Sequence, residues 1–71
     1  MIALEEFVAK VSERFSGYYD MTYPLQYNSI DNEEFIEFLE ENYSGQMVSV
    51  DLHTTISPQI SVLEIFNAII C

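Results

Sequence analysis

The chain has 71 residues, 49% of them apolar, with 12 acidic side chains against two basic ones and a formal net charge of -10. That apolar share suits one folded domain spanning 1–71 and is too high for a disordered acidic tail, while the length leaves room for only a small core. The charge repels phosphate backbones and anionic lipid heads, so nucleic acid and membrane surfaces are excluded as expected partners.

No apolar run approaches the roughly 20 residues that span a bilayer, and the first residues lack the basic and apolar regions of a signal peptide. A cytoplasmic protein, expected to be monomeric, is the reading. The one cysteine, Cys71, has no internal partner for a disulfide and reads as an incidental terminal thiol.

From Ile2 to Phe15 the apolar positions Leu4, Phe7, Val8, Val11 and Phe15 share one side of a helix, and Glu6, Lys10 and Arg14 form a stripe at spacing four on another. Glu5 and Glu6 suit the positive start of that helix, Lys10 and Arg14 its negative end, and Gly17 is placed to stop it. The spacing predicts a first helix over 2–16. Gly17 to Pro24 has no sustained period, and Pro24 keeps Tyr23 from helical angles, so a long ordered loop is expected. Tyr18, Tyr19, Tyr23 and Tyr27 are expected to pack their rings on the core with the hydroxyls wet, rather than to line a ligand groove.

The run Leu25-Gln26-Tyr27-Asn28-Ser29-Ile30-Asp31 leads into Asn32-Glu33-Glu34-Phe35-Ile36-Glu37-Phe38-Leu39-Glu40-Glu41-Asn42-Tyr43. There Phe35, Ile36, Phe38, Leu39 and Tyr43 recur at the spacings of a buried helical stripe. This predicts a second helix over 29–43, with Ser29 at its entrance and Asn28, Ser29 or Asp31 as its cap. A helix entrance favours an anion, because its first N–H groups are unpaired and the helix dipole is positive there. Asp31, Glu33, Glu34, Glu37, Glu40 and Glu41 bring six carboxylates into eleven residues without a Lys or Arg. Each like-charged pair at spacing four destabilises a helix by about 0.2–0.5 kcal/mol. Such a face is either a solvated surface or a dock for basic partners.

Ser44-Gly45 signals a turn, with Gly45 suited to a left-handed closing residue. Met47 to Leu52 alternates apolar and polar residues and is expected to run extended over the helices, followed by a short fourth turn near 52–56. His53 beside Asp51 has no companion ligand nearby, so no metal site is expected. Ser61 and Glu64 have the spacing of a capping box, with Ile60 and Ile65 placed as the hydrophobic staple, and Val62, Ile65, Phe66 and Ile69 supply the stripe of a last helix over 61–70. The reading is an all-α bundle of three main helices plus a short fourth. Its expected core is Leu4, Phe7, Val11, Phe15, Phe35, Leu39, Val62, Ile65, Phe66 and Ile69.

The segment Leu25 to Asp31 resembles the Leu-Gly-x-Asp-Ser-Leu-Asp signature of acyl and peptidyl carrier proteins. The residues through Glu40-Glu41-Asn42-Tyr43 are similar to that family's second helix, Val48-Ser49-Val50 to the short segment after it, and Ile60 to Phe66 to its last helix. The resemblance implies an acyl-carrier-like bundle and 4'-phosphopantetheine attached to Ser29, a phosphoprotein holding acyl or aminoacyl groups as thioesters in fatty acid, polyketide or peptide biosynthesis. It further implies partners in a phosphopantetheinyl transferase and in basic-surfaced acyltransferases, synthases or ligases, docked on Asp31, Glu34, Glu37, Glu40 and Glu41. Asn28 stands where the family has aspartate and Gln26 where it has glycine. A carboxylate at 28 would help to orient the transferase and its metal ion, so modification is expected to be faster in Asn28→Asp.

An enzyme is not expected, because the paired carboxylates lie along an exposed helix face where nothing desolvates them. A calcium loop is excluded by spacing. The alternative to a carrier is an unmodified acidic adaptor in which Ser29 only caps a helix.

Overall fold

Helix α1 (Leu4–Arg14) lays Phe7 and Val11 into the core, and the chain leaves it in extended conformation at Phe15. The helix thus stops before Gly17, which was placed to stop it, and the φ of Gly17 is negative. The computed structural model describes residues 2–47 and 49–70; Met1, Cys71 and, from the segment Val48-Ser49-Val50 singled out in the sequence, Val48 lie outside the described residues. A 3-10 turn at Leu25–Asn28 precedes α2 (Asn32–Tyr43), which passes into a second 3-10 turn at Ser44–Gln46. Gly45 also has no positive φ, so a tightened last turn, rather than a left-handed residue, closes α2.

Met47 to Val50 does not run extended: the Val50 N–H donates to Met47 O at 3.2 Å, which makes a turn. Helix α3 (Leu52–Thr55) is the expected short fourth turn. Helix α4 (Val62–Ile65) has the capping box expected of Ser61 and Glu64: the Glu64 N–H donates to Ser61 Oγ at 3.1 Å, and the Ser61 N–H donates to Glu64 Oε1 at 3.2 Å. It continues as a π turn at Phe66–Ile70, and the adjacent pairs Ile65/Phe66 and Ile69/Ile70 are buried. The fold is all-α, with no strand among the described residues.

An aromatic cluster holds the helices together. Phe7 of α1 meets Phe35, Phe38 and Tyr43 of α2 and Phe66 beyond α4 at ring-centroid distances of 5.4–6.5 Å, and Phe15 stacks on Phe35 at 5.6 Å. These spacings lie within the range of favourable aromatic pairs. Nine of the ten expected core residues are buried; Leu4 is half-buried at the edge. Leu25, Ile30, Met47, Leu52 and Ile56 join them from outside the three main helical stripes, and Ile70 from the end of the last.

The long loop is anchored to the start of α4. The Leu25 N–H donates to Ile60 O at 2.9 Å, Gln26 N–H to Pro58 O at 3.1 Å and Leu63 N–H to Met21 O at 2.9 Å, around a single bridge between Pro24 and Ser61. These bonds pair backbone groups that a loop would otherwise bury unsatisfied, and they fix the segment that carries Ser29.

Candidate functional site

Asn28 organises the loop. Its side chain is fully buried, and its carboxamide uses both ends. The Tyr19 and Asp20 N–H groups donate to Oδ1, both at 2.7 Å, while Nδ2 donates to Asp20 O at 2.9 Å and to Tyr23 O and Pro24 O at 3.3 Å. An amide can serve donors and acceptors together; a carboxylate only accepts. Asn28 thus faces the inside of its own loop.

Ser29 is left-handed, at φ 58 and ψ 34, and is the one non-glycine residue with positive φ among the described residues. Its N–H donates to Leu25 O, which also accepts from Ile30 N–H at 3.1 Å, so Ser29 closes the 3-10 turn as a left-handed residue closes a helix. A serine held there costs about 1–3 kcal/mol relative to ordinary backbone angles, and such residues cluster at functional sites. Asn28 before it and Ile30 after it are buried, whereas Ser29 is exposed and its hydroxyl has no hydrogen-bond partner among the described residues.

Helix α2 begins three residues later than expected, so Ser29 lies outside the helix entrance. Asp31 is the cap: its Oδ2 accepts from Glu33 N–H at 3.1 Å and Glu34 N–H at 3.2 Å. The positive end of the helix is thus already matched to a carboxylate, and the anion-favouring entrance does not act at Ser29. Glu34, Glu37, Glu40 and Glu41 are exposed along α2, as is Asp31. They form the acidic face that the sequence singled out.

The tyrosines divide. Tyr18 is half-buried against the core, but Tyr19, Tyr23 and Tyr27 are exposed by 73%, 43% and 70%, which overturns the expectation that all four pack inward. Tyr19 and Tyr23 lie 5.6 Å apart, on the loop that Asn28 ties together. In the same loop the Thr22 hydroxyl and N–H bond Asp20 and hold its carboxyl below the ordinary carboxylate value. Burial, and then the Asp20 charge, pushes the Tyr18 phenol up.

Elsewhere, His53 Nδ1 lies 3.9 Å from Glu33 Oε1, while Asp51 accepts from the Thr54 hydroxyl at 2.8 Å. The Thr54 hydroxyl, with smaller contributions that include the His53 backbone and charge, holds the Asp51 carboxyl below the ordinary carboxylate value. Two open clefts of about 300 Å³ each lie away from Ser29; Lys10, Arg14 and Phe38 line one, and Glu40, Met47 and His53 the other. No helix is long and apolar enough to cross a membrane among the described residues.

Sequence reasoning placed Gly17 as a helix stop and missed its approach to Ser29. A Cβ built there would meet Ser29 Cβ at 2.7 Å and Asn28 O at 3.3 Å, so the glycine is present for space and not for its own backbone angles. A glycine beyond the end of a helical period was the available signal, and it has two physical meanings. No family model, curated protein or solved structure matches this chain.

Proposed function

We propose that this chain is a carrier protein, with 4'-phosphopantetheine attached through Ser29 Oγ and with acyl or aminoacyl groups held on the arm as thioesters. The observation that carries the reading is the presentation of Ser29: an exposed, left-handed residue whose hydroxyl has no hydrogen-bond partner among the described residues, between a fully buried Asn28 and the capped start of an acidic helix. These residues fit the group, because the hydroxyl is available to solvent and its backbone is held by bonds on both sides. The arm, when attached, supplies the thiol that carries the cargo. The chain's own part is to hold the attachment point rigid and to offer partners a recognisable charge.

In the attachment step Ser29 Oγ forms a bond to the phosphorus of coenzyme A that bears the pantetheine. The bond to adenosine 3',5'-bisphosphate breaks, and the hydroxyl proton passes to a base of the transferase. Glu34, Glu37, Glu40 and Glu41, with Asp31 at the cap, dock basic-surfaced synthases, acyltransferases or ligases, which links the helix's unfavourable charge to a use. An unmodified acidic adaptor would use the same face and leave the strained serine without a role. Incubation with coenzyme A and a broad-specificity phosphopantetheinyl transferase, followed by intact-mass measurement, separates the two readings.

A further inference from the structure

Ser29 keeps its conformation only while the space beside it is empty, and that space belongs to Gly17. The Gly17 φ is negative, so its backbone would accept any residue, yet a Cβ there would stand 2.7 Å from Ser29 Cβ, 3.4 Å from Ser29 Oγ and 3.3 Å from Asn28 O. None of these neighbours is the loose end of a long side chain. Ser29 Cβ is bound directly to the backbone, and Asn28 is held by its five hydrogen bonds to the loop. A methyl group at position 17 must therefore displace Ser29 or the turn that carries residue 17, and either shift changes how the two segments meet.

We propose that Gly17 is a positioning residue for the modification of Ser29, its missing side chain leaving the room that Ser29 Cβ and Oγ take up beside it. The inference rests on the carrier reading and adds to it a residue from a different part of the chain. Transfer requires Oγ to reach the phosphorus of coenzyme A in line with the departing bisphosphate, and misplacement of a reacting group by 1 Å costs on the order of 100-fold. The acidic face of α2 is untouched by a change at position 17. Gly17→Ala should therefore lower the transferase kcat by about tenfold to a hundredfold while its KM for the carrier stays near that of the parent.

The test follows modification of the parent, Gly17→Ala and Gly45→Ala by mass, with coenzyme A and a broad-specificity phosphopantetheinyl transferase. Gly45→Ala is the control, since a Cβ at that position meets nothing within 4 Å. A fall in kcat confined to Gly17→Ala supports the proposal; an unchanged kcat, a loss confined to KM, or an equal loss in Gly45→Ala overturns it. A thermal double-mutant cycle with Ser29→Gly examines the contact separately. Gly17→Ala should lower the melting temperature of the parent much more than that of Ser29→Gly, which has no Cβ to meet. If the single variant does not fold, folding of the double variant gives the same answer, and equal damage in both backgrounds overturns the contact. An unlabelled parent removes the carrier reading; a labelled parent with an unaffected Gly17→Ala removes only this inference.

Discussion

Asn28→Asp exchanges one atom and reverses the expectation drawn from the carrier signature. The carboxylate keeps the two bonds accepted from Tyr19 and Asp20 N–H but loses Nδ2 as the donor to Asp20 O, Tyr23 O and Pro24 O. Asp20 O retains the Tyr23 N–H at 3.2 Å and Pro24 O the Tyr27 N–H at 3.0 Å, so Tyr23 O suffers most. One acceptor left unpaired in a buried site costs about 1–3 kcal/mol. The new charge also faces three carbonyl oxygens in a side-chain site with no exposure, and the two charge-assisted bonds offset only part of this. A net loss of about 2–3 kcal/mol corresponds, for a domain of this size, to a fall in melting temperature of roughly 10–20 °C. Thermal unfolding followed by far-ultraviolet circular dichroism at neutral pH measures it, alongside the rate of modification of Ser29. An unchanged melting temperature, or a variant modified faster than the parent, would refute the structural role assigned to the amide.

Leu39 is fully buried, and Leu39→Ala should cost about 2–5 kcal/mol by urea titration, enough to unfold much of a domain this small. Tyr43 has a buried hydroxyl without a hydrogen-bond partner among the described residues, and burial followed by the Glu6 charge pushes its phenol up. Tyr43→Phe should therefore raise stability, by about 1 kcal/mol, in the same titration. Added salt should raise the melting temperature of the parent by screening its net charge of -10, and should weaken binding to a basic partner. Partner binding that is indifferent to salt and to Glu40→Lys with Glu41→Lys would end the role given to the α2 face.

The three main helices were legible because their apolar residues recur at helical spacing and because Ser61 and Glu64 carry their own capping chemistry. The start of α2 was not legible. Asn28, Ser29 and Asp31 are all good caps, and only the tertiary bonds of Asn28 show that the first two belong to a separate turn. Burial of Asn28 runs against its usual exposure, so composition gives no hint of it. Gly17 and Gly45 were both read as helix ends, Gly45 as a left-handed one, although one serves a close approach and the other lies in open space with no positive φ. Tyr19 and Tyr27 reverse the same kind of average, since whether a ring packs inward depends on a loop path that local spacing does not encode.

The carrier reading is tested most directly by the mass of the intact protein after incubation with coenzyme A and a broad-specificity phosphopantetheinyl transferase. The parent should gain the mass of one phosphopantetheine, and Ser29→Ala should gain none. A folded parent that stays unmodified under conditions that load a known carrier contradicts the proposed function, and a label on Ser29→Ala contradicts the site.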